Sequence, residues 1–269
     1  MLKKRLIPSL LVRDGRIVQS VQFRHTNVIG NVITAVDFFN GWTVDEILIL
    51  DVSRGNTGRT EFIDIIDELS ERCFVPLAVG GWITTTREIE TLLEHGADKV
   101  VVNTHAFRHP EFITEAARVF GSQCIVVSID VKRDAQGVPR VFIDRGQHDT
   151  GRDAVEWAKQ AEAAGCGEIL LTSIDHDGMR NGYDLPLMQS VSAAVSIPVI
   201  AFGGVGHWQH MVDGVTQGGC EAVSAGNIFH FTEHSTKKAK EFLQAGGVPL
   251  RDTFFYKVTI PRRPRYKQY

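Results

Sequence analysis

Short apolar runs recur along the chain, separated by stretches in which apolar and polar residues alternate at helical spacing. The runs Leu6–Val12, Glu46–Val52, Val75–Val79, Lys99–Asn103, Cys124–Asp130, Glu168–Thr172, Pro198–Ala201 and Ala222–Ser224 predict eight strands. The stretches Thr60–Ser70, Thr85–Glu94, Pro110–Phe120, Gly151–Ala164, Leu185–Val195 and Trp208–Gly218 predict helices between them. Strands that are apolar throughout, and not only at every second position, suit parallel strands covered on both faces by crossover helices. Eight such units in about 230 residues match a closed (β/α)8 barrel. The competing doubly wound open sheet lacks its main signal, because no G-x-G-x-x-G follows a strand.

An internal repeat separates the two architectures. Glu46-Ile-Leu-Ile-Leu-Asp51 returns as Glu168-Ile-Leu-Leu-Thr-Ser173, an offset of 122 from position 46 to position 168. Pro76-Leu-Ala-Val-Gly-Gly81 returns as Pro198-Val-Ile-Ala-Phe-Gly-Gly204, and Gly96-Ala-Asp-Lys-Val-Val as Gly218-Gly-Cys-Glu-Ala-Val. Three matches in order at a nearly constant offset predict two half-barrels of four βα units each. The barrel is expected over residues 1–250, followed by a basic, proline-rich extension over 251–269.

Composition narrows the function classes. Of 269 residues 43% are hydrophobic, enough for a large core, and the net charge of -3 argues against a nucleic-acid partner. The four cysteines, at 73, 124, 166 and 220, form no C-x-x-C pair, and the scattered histidines form no H-E-x-x-H, so no metal and no cofactor is expected. No apolar run approaches the length of a membrane span, and the basic start MLKKRLIPSLLV reads as a first strand, which together lead to the expectation of a cytoplasmic protein.

Candidate chemistry lies at the C-terminal ends of the predicted strands, the catalytic face of such barrels. Gly80-Gly81 ends strand three and Gly203-Gly204 ends strand seven; Asn103-Thr104 and Ser224-Ala225-Gly226-Asn227 end strands four and eight. Glycines there let backbone N–H groups approach an anion, so the two pairs of ends predict two phosphate cradles, with tight βα turns as the plainer reading. Asp51, Asp130 and Asp175 each follow a strand, and Thr172 and Ser173 add hydroxyls. Asp130 is the best candidate for a general acid or base. The repeat sets Pro8-Ser-Leu-Leu-Val12 against Val127-Ser-Ile-Asp-Val131, so Leu11 occupies the place that Asp130 occupies in the second half. A leucine transfers no proton, and Asp14 is out of register by three residues. At the opposite strand ends, Arg5, Glu46, Lys99 and Glu168 supply two bases and two acids, either a neutralised ring or a bottom-face plug.

These stretches, with Gly167 through Gly178, Asn181-Gly-Tyr-Asp184 and Ala201-Phe-Gly-Gly-Val-Gly206, resemble the cyclase subunit of imidazole glycerol phosphate synthase over about residues 3–232. The resemblance implies a ribulose-phosphate-binding type barrel that takes ammonia from a glutaminase subunit docked on its N-terminal face. It also implies a substrate with two phosphates, and an ammonia entrance at Arg5, Glu46, Lys99 and Glu168. The family's strand-five aspartate matches Asp130. Its strand-one aspartate matches Leu11, its strand-one-loop lysine matches Gln19, and its third glycine after strand three matches Trp82. Such a cyclase-like chain resembles the branch associated with surface-polysaccharide biosynthesis, in which a sugar amidotransferase forms acetamidino groups. Leu10-Leu11 and the ending Ser224–Phe231 carry that likeness. The alternatives are a true histidine-pathway cyclase and a non-catalytic scaffold for the glutaminase.

Overall fold

The computed structural model describes residues 3–40, 44–55, 58–230 and 235–251. Apart from Arg251, the expected extension 251–269 therefore lies outside the described residues, as does Phe231.

Eight parallel strands close on themselves: β1 (Arg5–Arg13), β2 (Ile47–Asp51), β3 (Leu77–Gly80), β4 (Lys99–Val102), β5 (Ile125–Arg133), β6 (Glu168–Ser173), β7 (Val199–Phe202) and β8 (Ala222–Ala225). Each pairs with the next, β5 joins β6 through Glu168↔Val126 to Ser173↔Val131, and β8 returns to β1 through Arg5↔Ala222 to Pro8↔Ala225. This is a (β/α)8 barrel. Each strand stands within two or three residues of its predicted span, because a buried parallel strand announces itself by its apolar run.

The core is double. Outward-facing strand residues such as Leu6, Ile49, Val79, Val127 and Leu171 pack against the helices. Inward-facing residues Ile7, Leu48, Ala78, Val101, Val126, Leu170, Ile200 and Ala222 fill the barrel itself. The alternation follows from the two-residue period of a strand.

Helix ends depart from the predicted spans where capping chemistry intervenes. The helix expected from Gly151 begins at Ala154, because Gly151 (φ 67°) belongs to a strand and Asp153 is the cap, its Oδ1 accepting from the N–H groups of Val155 (2.8 Å) and Glu156 (3.1 Å). The helix expected from Thr85 begins at Thr86, with Thr85 and Glu88 forming a capping box. The helices from Leu185 and Trp208 stop at Ser192 and Thr216, short of the predicted Val195 and Gly218.

Two antiparallel hairpin arms were not predicted. At nine residues each, β1 and β5 outrun the barrel rim and pair with added strands, β1 with Arg16–Val21 and β5 with Pro139–Ile143. Each added strand is followed by another, His25–Asn31 and His148–Asp153 respectively. The arms follow the first strand of each half-barrel, so the repeat extends to them. Their outer strands are polar and exposed, which is why no apolar run marked them. The first turns at Asp14-Gly15, both at positive φ, as a two-residue hairpin loop requires.

Candidate functional site

At the N-terminal barrel face, Arg5, Glu46, Lys99 and Glu168 form one closed ring. Arg5 Nη1 donates to Glu46 Oε2 (2.6 Å) and Nη2 to Glu168 Oε2 (2.9 Å); Lys99 Nζ donates to Glu46 Oε2 (2.8 Å) and Glu168 Oε1 (2.9 Å). The side chains range from 2% exposed for Glu46 to 18% for Arg5. Burial alone pulls the Arg5 pKa down, but Glu168 and Glu46 outweigh it and hold it above the usual value. Two positive and two negative groups cancel, so the desolvation of each is offset by two opposite neighbours. Immediately behind the ring, Asp45 binds Leu6 N–H (2.9 Å) and the Lys240 ammonium (3.0 Å) with both side chains buried. Lys240 lies in the helix Ser235–Ala245, which thereby braces the residues next to Arg5 and Glu46.

Above the ring lies the apolar interior of the barrel, and above that a polar level at the catalytic face. Asp130 Oδ2 accepts from Asn103 Nδ2 (2.7 Å), its Oδ1 lies 3.4 Å from the Ser128 hydroxyl, and Thr172 also donates to it. Burial pushes its pKa up to about 7, against these three hydrogen bonds. A carboxyl with that pKa both gives and takes a proton at neutral pH. Leu11 lies on the inward face of β1 among Ile7, Val18 and Phe202, 9% exposed. Asp14 lies in the hairpin turn with an exposed side chain, paired with Arg13.

Gly203, Gly204, Ala225, Gly226 and Asn227 line a single cleft, with Leu11, Val18 and Phe202 on its apolar side. Gly204 has φ 106°, and a Cβ there would collide with the Gly182 carbonyl oxygen, so only glycine is accommodated. Asp177 and His230 line the same cleft. Asp177 is 5% exposed, accepts from the Ser20 hydroxyl (2.6 Å), and burial raises its pKa. Burial lowers the His230 pKa, which favours its neutral form.

Sequence reasoning singled out Asp175, two residues earlier. Its carboxylate instead accepts the Arg133 N–H (2.8 Å) and its carbonyl accepts from Gln22 Nε2 (3.1 Å), so it ties the two hairpin arms to the β6 loop. Asp175 and Asp177 share one turn and look alike in sequence. The discriminating partner, Ser20, sits on the arm that the sequence pattern did not reveal.

The strand three and four ends are arranged differently. The Gly81 carbonyl accepts from Arg59 Nη1 (2.8 Å), Thr104 Oγ1 accepts from Asp144 N–H (3.0 Å), and Asn103 is committed to Asp130. A Cβ at Gly80 would lie 2.8 Å from both Leu50 and Val101, so close strand packing alone accounts for that glycine. Asp51 Oδ1 accepts from Ser53 N–H (2.9 Å), closing a local turn. Trp82, at φ 56° and 37% exposed, stands beside Gly81 with the Arg145 guanidinium 6.0 Å above its ring. Ser173 is buried beneath Gly203, its carbonyl facing that glycine's α-carbon. Among the described residues, no three His, Cys, Asp or Glu side chains converge as a metal site.

A closed parallel barrel with glycine-rich strand ends at one mouth and a charged ring at the other defines the class, a (β/α)8 protein with its polar chemistry gathered at the two ends of the barrel. The chain belongs to the family described as histidine biosynthesis protein, which matches residues 5–235. It is 47% identical over 251 residues to the Vibrio vulnificus (strain YJ016) protein named "Putative imidazole glycerol phosphate synthase subunit hisF2", covering 93% of this chain and 92% of that one. Likeness of this extent makes the chain a cyclase-subunit-like member of the family.

Proposed function

We propose that the chain is the ammonia-receiving synthase subunit of a glutamine-dependent amidotransferase complex. A glutaminase docks on the N-terminal barrel face, and ammonia passes the ring of Arg5, Glu46, Lys99 and Glu168 into the barrel. The mouth binds a phosphorylated small molecule at Gly203, Gly204, Ala225, Gly226 and Asn227, with Thr172 and Ser173 beneath them. The product is an amidated sugar bearing an acetamidino group, made with a sugar amidotransferase in the cytoplasm for surface-polysaccharide biosynthesis.

One observation carries this reading: the charged ring is complete while an apolar side chain, Leu11, faces the mouth across from Asp130. Closing an imidazole ring by paired acid and base needs a second proton carrier. Amidation that ends in a partner enzyme needs only ammonia delivery. The ring and the apolar interior suit such delivery, since neutral ammonia crosses an apolar layer that turns back the ammonium ion.

A true histidine-pathway cyclase is the second reading, favoured by Asp130 with its pKa near 7. Supplying the purified chain with ammonium and the two-phosphate ribonucleotide of that pathway separates them. The proposal expects no imidazole glycerol phosphate; turnover at a cyclase rate would establish the second reading instead.

A further inference from the structure

The turn of the second hairpin arm lies across three strand ends of the mouth. Asp144, Arg145 and Gly146 all stand at positive φ (52°, 59° and 73°), which winds the turn tightly. After β2, the Ser53 carbonyl accepts from Arg145 Nη1 (3.1 Å). After β3, the Arg145 guanidinium lies over the Trp82 ring, 6.0 Å from its centroid. After β4, the Thr104 hydroxyl accepts from Asp144 N–H (3.0 Å). Arg108 Nη2 donates to Asp144 Oδ2 (2.6 Å) and fixes the turn from its other side. Trp82, beneath this turn, itself has φ 56°. A bulky residue in the left-handed region is strained, and such strain survives only where contacts enforce it. Here Arg145 holds the indole, and Arg59 Nη1 holds the neighbouring Gly81 carbonyl (2.8 Å).

A glycine would adopt that backbone freely, so the indole is there for its side chain and not for its conformation. The repeat that equates Gly80-Gly81 with Gly203-Gly204 shows what the indole changes. At the second pair, φ is 91° and 106°, and the glycines line an open cleft with Gly226 and Asn227. At the first pair, an indole and a guanidinium stand at the strand end instead. The side-chain groups beside them that could meet an anion are engaged within the protein: Thr104 Oγ1 with Asp144, Asn103 Nδ2 with Asp130 and Arg145 Nη1 with Ser53. We propose that Trp82, held by Arg145, is a specificity-determining residue of the mouth. It keeps phosphate from the β3–β4 end, so the mouth selects a ligand with one phosphate, seated at β7–β8, over a ligand with a phosphate at each end. The inference rests on the phosphorylated ligand of the proposed function and adds which ligands that mouth refuses.

Inorganic phosphate is the probe, counted by titration calorimetry and located in soaked crystals of the chain alone. Wild type is compared with W82G, in which glycine suits the φ of 56°, and with W82A as a second removal of the ring. Thermal denaturation confirms that each variant is folded. The expected result is one phosphate per wild-type chain, at Gly203, Gly204 and Asn227. Removal of the ring should raise the count to two, the second phosphate lying against Gly81 and Thr104. Two phosphates in wild type, a phosphate held by Arg145 in wild type, an empty β7–β8 cleft, or a count that stays at one in the folded variants would overturn the proposal. The count involves neither a glutaminase nor amide transfer. Two phosphates in a wild-type chain that still couples to a glutaminase would sink the selectivity alone. One phosphate in a chain that never couples would sink the proposed function alone.

Discussion

Asp130 and Leu11 occupy equivalent places in the two half-barrels and have opposite characters. On β5, Asp130 is buried, held by Asn103 and Ser128, and has a pKa pushed up to about 7 by burial. Between the unfolded carboxyl's pKa near 4 and that folded value, the folded chain keeps a proton that the unfolded chain has released. Stability therefore falls as pH rises through this window and levels off above about 7. Urea denaturation should show this decline between pH 5 and pH 7.5 and show it flattened in D130N, by an amount up to about 3 kcal/mol, at 1.36 kcal/mol per unit over roughly two units. Parallel pH curves for the two proteins would contradict the burial of this carboxyl. A second prediction concerns Gly204: G204A places a Cβ against the Gly182 carbonyl at positive φ. It should lower stability by about 1–3 kcal/mol and reduce inorganic phosphate binding in calorimetry; unchanged phosphate affinity would show that the cleft binds anions elsewhere.

At the scale of elements, the barrel strands were legible because burial on both faces writes a continuous apolar run, and the repeat made their number and order legible too. The hairpin arms were not, because their outer strands are polar and their pairing partners are the overhanging ends of β1 and β5. That omission had a chemical consequence: Ser20, on the unpredicted arm, is what distinguishes Asp177 from Asp175. The closed ring at the other face was legible as four charged residues at strand starts, but not the brace behind it. Lys240 lies 195 residues from Asp45, in a helix whose sequence reads as an ordinary surface element. K240M should leave Asp45 buried with an unmatched charge and destabilise the chain by roughly 3–5 kcal/mol, seen as a lowered thermal midpoint. A midpoint within a degree of wild type would mean the pair is dispensable.

Over the whole molecule, the two halves share a scaffold and differ in what they place at the mouth. The half ending at β8 keeps an open, glycine-lined cleft, while the β3–β4 side carries Trp82 under Arg145 and spends Asn103 and Thr104 on contacts within the protein. The glycine-rich strand ends lead to the expectation of two phosphate cradles, one at each pair of strand ends. The difference between them turns on side chains from distant loops, Arg59 and Arg145, which the glycine pattern does not encode. A ligand anchored at the β7–β8 cleft, with ammonia arriving from below, is the arrangement this asymmetry favours. The function proposed for the mouth depends on ammonia delivery through the charged ring. The most direct measurement is glutamine hydrolysis by the partner glutaminase with wild-type chain or K99E, together with their co-purification. Stimulation and co-purification with wild type, both lost in a folded K99E, is the predicted result. A glutaminase that neither binds wild type nor responds to it, or that responds equally to K99E, would contradict the account.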